Sequence, residues 1–217
     1  AFIDIGLERA AFLHIVDVLE QRRNPDETQR IEHMLFEGQS VLVQVIKDPI
    51  NTKGARLSTQ ISLAGRFLVH LPQEDHIGIS QRIEDDAERS NLRERLNNLL
   101  PENACHGYII RTNAENASDT QLQSDINYLT KVWEHIQKQA KIQPPETLLY
   151  QDLPLSLRVL RDMFSLDTHK ILVDSTENHR RMTQFAEQYV QGALGRIELF
   201  KGERPLFETH NIEQEIA

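Results

Sequence analysis

Short apolar runs alternate with polar turns through the first third of the chain, and the period becomes helical further along. In "FIDI", alternation puts Ile3 and Ile5 on one face of a strand and Phe2 and Asp4 on the other. Gly6 predicts a turn, and "RAAFL" then brings Phe12 onto a second strand. "SVLVQVIKD" is rich in β-branched residues and predicts a strand; the turn "PINTKGA" separates it from another, "RLSTQISL". A helical or loop insertion falls at about residues 15–38. Short strands joined by glycine turns predict a small β-barrel, or part of one, over residues 1–59.

Residues 60–156 mix the strands "RFLVHL" and "GYIIRT" with two helices. "DDAERSNLRERLNNLL" has the acidic start of a helix. "SDTQLQSDINYLTKVWEHIQKQAKI" is the longer one. Leu122, Ile126, Leu129, Trp133 and Ile136 share one face of it, and "QPPET" ends it. Residues 157–217 read helix, strand ("KILVDS"), helix ("ENHRRMTQFAEQYV"), strand ("RIELFKG"), an α/β pattern. The predicted class is therefore α+β with several subdomains. No internal repeat or low-complexity tract interrupts it.

Composition narrows the function classes. With 39% hydrophobic and 26% charged residues, the chain suits a folded globular protein. Its one cysteine, Cys105, permits no internal disulfide and no cysteine zinc site. No apolar run approaches the ~20 residues needed to cross a membrane, so no membrane partner is expected. No leader pattern is visible, and a cytoplasmic location is the default expectation. The opening "AFIDIG" reads as mid-strand without a start methionine, so a piece of a longer protein is expected. A net charge of −9 argues against a surface coated in positive charge for nucleic acid. The charge is uneven, however: between Val41 and His70, Lys47, Lys53, Arg56 and Arg66 stand against Asp48 alone.

Several residue groups carry candidate chemistry. Phe2 and Phe12 on paired strands form either a base-stacking platform or ordinary core. Lys53 before Gly54 is either a solvated turn or a reach toward a phosphate, since glycine lets a backbone come close. Arg111 and Thr112 end a strand, as a polar cap or a phosphate grip. A guanidinium donates two parallel bonds to a phosphate, but neighbours on a strand diverge, so the chain must turn at Thr112 for both to converge. Asp125 and Asn127 offer hard oxygens for magnesium, yet residues two apart on a helix point about 200° apart. They read as a solvated or partly packed helix face. The nine histidines include no pair at metal-ligand spacing, and phosphate-loop, dinucleotide and nucleophile-elbow motifs are absent.

Taken together, "AFIDIGLERAAFLH", "VQVIKDPINTKGARLSTQISLAG", "GISQRIE" and "YIIRT" resemble, in order and spacing, the ribonuclease E and G family of bacterial endoribonucleases, nearest its G branch. "LRDMF", "ILVDS" and "KGERPLFETHNIEQEIA" extend the resemblance over essentially the whole chain. It implies most of an S-one-type OB barrel over residues 1–59, a 5′-sensor region over 60–156, and the returning part of an RNase H-like fold, without an active site, over 157–217. It implies that Phe2, Phe12 and Lys53 contact RNA. It also implies that Arg111 and Thr112, with Gly65 and Val69, hold a 5′-monophosphate. The family's catalytic Asp-x-Asn, a later metal-binding aspartate and the cysteines of a zinc link between protomers belong to segments beyond "NIEQEIA". The same resemblance implies that the first OB strands and the opening RNase H-like segment precede this stretch. No catalytic or metal residue is therefore assigned here. The implied function is the RNA-binding, 5′-monophosphate-sensing part of a homo-oligomeric, magnesium-dependent endoribonuclease. That enzyme would act on single-stranded RNA in rRNA maturation and mRNA decay, and this part would not cut RNA alone. An OB-fold module of a translation- or ribosome-associated protein, or a purely structural interaction protein, are the other readings.

Overall fold

Ala11 and Leu13 are buried while Phe12 between them is exposed, so alternation in the first strands is that of a sheet with one covered face. The strands are β1 (Phe2–Ile3), β2 (Ala11–Leu13), β3 (Gln44–Lys47) and β4 (Arg56–Ser58). They form one sheet in the order β1-β2-β4-β3. The β2–β4 pair is parallel, the outer pairs antiparallel, and a bulge interrupts β3 between Val45 and Lys47. The core beneath gathers Ala11, Leu13, Val18, Ala55 and Leu57, with Ile3, Ile5, Met34, Leu35 and Val43 packed against it. The isoleucines of "FIDI" thus face the interior.

The computed structural model describes residues 1–19, 30–101, 107–165 and 167–216. Of the insertion at about 15–38, single 3-10 turns occupy Ile15–Asp17 and Ile31–His33, while residues 20–29, like Cys105 and His106, lie outside the described residues.

The predicted strand "RLSTQISL" breaks in two. After Ser58, the N–H donors turn away from any ladder: Thr59 donates to the Asp17 carbonyl, Gln60 to Ser58 Oγ, and Ser62 to Gln44 Oε1. The chain bends there and re-enters a second sheet as β5 (Leu63–Ala64). That sheet runs β5-β6-β8-β7, with β6 (Leu68–Leu71), β7 (Ile77–Ile79) and β8 (Gly107–Ile110). Helices α1 (Asp86–Leu99) and α2 (Asp119–Ile142) pack on it. Ser118 caps α2 in a reciprocal capping box with Gln121, and the predicted apolar stripe from Leu122 to Ile136 is its buried face.

Residues 1–151 and 152–217 form two compact units. The second begins with α3 (Leu155–Met163), then β9 (Ile171–Val173), α4 (Thr176–Tyr189) and β10 (Ile197–Leu199). β9 and β10 pair in parallel around α4, as the alternating pattern predicts, and α4 buries Met182, Phe185 and Ala186. The short helices α5 (Leu206–Thr209) and α6 (Ile212–Ile216) follow. The class is a mixed α+β structure. No helix among the described residues is long and apolar enough to cross a membrane.

Candidate functional site

The loop Gly65–Phe67 between β5 and β6 is shaped by a carboxylate from another element. Asp125, on α2, accepts the backbone N–H of Arg66 at Oδ1 (2.9 Å) and those of Phe67 and Leu68 at Oδ2 (2.8 Å each). The sequence suggests a solvated or partly packed position for this residue. It is instead buried, where its two oxygens collect three backbone donors. Asn127, two residues on, is exposed on the opposite side of α2. Gly65 lies so close to this carboxylate that a Cβ would stand 2.5 Å from Oδ2 and 2.6 Å from Oδ1. Glycine is required here by close approach rather than by an unusual φ.

The loop in turn holds Arg111. The Arg111 Nη1 donates to the Gly65 carbonyl (2.5 Å) and, at longer range, to the Arg66 carbonyl (3.4 Å). The Arg111 N–H donates to the Phe67 carbonyl, extending the β6–β8 ladder one step past Ile110. Among the described residues, nothing accepts from Arg111 Nε or Nη2. The chain then turns at Thr112, as convergence demands: a 3-10 turn spans Thr112–Ala114. The Thr112 N–H and hydroxyl have no partner among the described residues, the N–H being the first of its turn. Val69 pairs with Ile109 across β6–β8 and with Ala64 across β5–β6, two positions before Arg111 and one before Gly65. Behind the sheet, buried Tyr108 stacks on His70 with ring centroids 4.7 Å apart. Burial pushes the Tyr108 hydroxyl above its ordinary pKa, opposed by a hydrogen bond from Thr130 and helped by the charge of Asp125.

The second group lies on the open face of the first sheet. Phe2 and Phe12 are register partners, 78% and 39% exposed, with ring centroids 5.7 Å apart. They are therefore not core residues. Lys53 is exposed in a tight turn in which Ile50 and Lys53 bond each other's backbone. Arg9 Nη1 donates to the Asn51 carbonyl, and a Cβ on Gly54 would meet the Ala10 carbonyl at 2.1 Å. Both tie the lysine turn to the start of β2. Within the basic cluster, Arg56 is paired to buried Asp17 at 2.7 Å. Sequence reasoning missed both Asp17 and Asp125 as organisers. Asp125 had a signal, because it falls three residues after Leu122 and four before Leu129, inside the apolar stripe itself. A cleft of about 310 Å³ lined in part by Asp17, Ser58, Gln60 and Ser62 includes none of the predicted residues.

A family model for the "Ribonuclease E/G family" matches residues 62–217. The chain belongs to this family. It is 37% identical over its whole length to ribonuclease G of Escherichia coli K12, and 35% identical to that of Haemophilus influenzae, covering 45% of each. It is also 37% identical to ribonuclease E of Escherichia coli K12, covering 21% of that protein. The chain thus spans less than half the length of these curated relatives, and its Arg111 loop lies inside the family match. A magnesium site does not fit the family residues present here. Both oxygens of Asp125 are taken by backbone donors, and no group of three or more acidic, histidine or cysteine side chains able to hold a metal occurs among the described residues.

Proposed function

We propose that this chain is the RNA-holding and 5′-monophosphate-sensing portion of a magnesium-dependent, homo-oligomeric endoribonuclease of the cytoplasm, acting on single-stranded RNA in rRNA maturation and mRNA decay. The metal would be held by residues outside this chain, so no bond-breaking step is assigned to it. In this reading residues 1–59 are most of an OB barrel, 60–156 the sensor and 157–217 part of an RNase H-like fold.

One observation carries the sensing function. The Arg111 guanidinium is fixed through Nη1 by the Gly65 and Arg66 carbonyls, while Nε and Nη2 have no described acceptor and the Thr112 N–H and hydroxyl stand next in the chain. That is a positioned, two-donor edge beside two further donors, the set a terminal phosphate takes. A 5′-monophosphate carries up to two charges and free oxygens that an internal phosphodiester lacks. Phe2 and Phe12 offer stacking surface for bases, and Lys53 a cation for the backbone.

The test is equilibrium binding of short unstructured RNAs that differ only at the 5′ end. Hydrogen bonds to charged groups contribute about 1.5–3 kcal/mol each, so Arg111→Gln is expected to weaken 5′-monophosphorylated RNA roughly 10- to 100-fold and barely change 5′-hydroxyl RNA. Equal losses for both RNAs would make Arg111 a general electrostatic or structural residue and defeat the sensor.

A further inference from the structure

The register of the first sheet lines four residues up across it. Phe2 pairs with Phe12 and Phe12 with Arg56, so these three side chains project from the same face, and Lys47 stands opposite Arg56 across the bulge of β3. The row crosses the whole sheet and is open: Phe2 and Phe12 are exposed, the Arg56 side chain is 41% exposed, and Lys47 is exposed. Arg56 is not mobile in it. Nε (3.0 Å) and Nη2 (2.7 Å) both donate to Oδ2 of Asp17, whose side chain is only 4% exposed. Asp17 is itself fixed, its carbonyl accepting from Ser58 Oγ and the Thr59 N–H.

From this we infer that Arg56 supplies a third stacking plane for a base of single-stranded RNA, next to the two phenylalanines, and that Asp17 is the positioning residue that orients it. The inference rests on the RNA-binding reading above. A guanidinium held along one edge keeps its flat face available, and arginine stacks on planar π systems as an aromatic ring does. Its charge is already balanced by Asp17. Arg56 therefore acts as a plane, and Lys47 at the end of the row is the cation left for a backbone phosphate. The physical signature is a contribution to affinity that salt does not weaken, because releasing no counterion leaves the salt slope alone.

The test uses this chain, an unstructured oligoribonucleotide carrying one 2-aminopurine, and a series of potassium chloride concentrations. Arg56→Lys keeps a cation for Asp17 but has no plane. It is expected to weaken binding about 3- to 30-fold, to leave the slope of log affinity against log salt unchanged, and to reduce quenching of the bound 2-aminopurine. Asp17→Asn is expected to weaken binding in the same direction, since the guanidinium is no longer oriented; the Asp17 carbonyl bonds survive that change, and thermal unfolding checks the fold. Wild-type affinity in Arg56→Lys overturns the stacking role. So does a slope that falls by about 0.7, the loss of one phosphate contact on a single strand. If the wild-type chain binds through Phe2 and Phe12 but is indifferent to Arg56, this inference alone fails; if it binds no RNA, the function proposed above fails with it.

Discussion

At the scale of single residues, Gly65 and Asp125 form one device. The carboxylate fills the space that a Cβ would need, and its three N–H donors fix the carbonyls that hold Arg111. Gly65→Ala is expected to destabilise residues 1–151 by about 1–3 kcal/mol and to lose the preference for a 5′-monophosphate. Asp125→Ala is expected to cost more, about 2–4 kcal/mol, since it strands buried donors. Adding Gly65→Ala to Asp125→Ala should then cost little, because the oxygens it would strike are gone. Additive losses in denaturant unfolding would show that the two positions are independent. None of this dependence was legible in the sequence. A lone Asp-x-Asn invites a metal or a solvated surface, and what decides otherwise is a loop nearly sixty residues away. Tyr108 gives a pH prediction. Its hydroxyl is raised above the ordinary value of 10.0 by burial, so the unfolded chain releases the proton first. Stability is therefore retained below pH 10.0 and falls as pH rises above it. Tyr108→Phe should flatten that fall in thermal unfolding midpoints; an unchanged alkaline decline would assign it to other groups.

At the scale of elements, what was legible is what periodicity dictates. The stripe of α2, its Ser118 start, the Phe-Ile alternation of β1 and the parallel β9–α4–β10 unit all followed from local pattern. What was not legible depended on partners. "RLSTQISL" reads as one strand until Asp17 and Gln44, both distant in sequence, take its donors and bend it. The fate of Phe2 and Phe12 was likewise open, since an aromatic on a strand is core or surface according to what covers the sheet. Their exposure carries a prediction for that sheet. Phe2→Ala and Phe12→Ala should each weaken single-stranded RNA binding by about 1–3 kcal/mol, while stability changes by less than about 1 kcal/mol. A large loss of stability with unchanged affinity would mean that the rings are there to cover the fold.

At the scale of the whole molecule, the net charge is −9. Binding that leans on stacking and one terminal phosphate should show a shallow salt slope, on the order of −1 to −3, as expected for a handful of phosphate contacts. A much steeper slope would place a larger basic surface in play. The topology of the first sheet has a kinetic consequence as well. Phe12 and Arg56 face each other across a parallel pair although 44 positions separate them, whereas β3 and β4 are joined by a short turn. Closing that long loop must precede any gain from the contact, and such non-local pairings form slowly. Amide hydrogen exchange at Phe12 reports this closure. Protection of the Phe12 N–H, which donates to the Ala55 carbonyl, is expected to lag protection of the β3–β4 amides during refolding. The stacking row would then exist only in chains that have completed this closure, so a nascent or partly folded copy would offer RNA no row of planes.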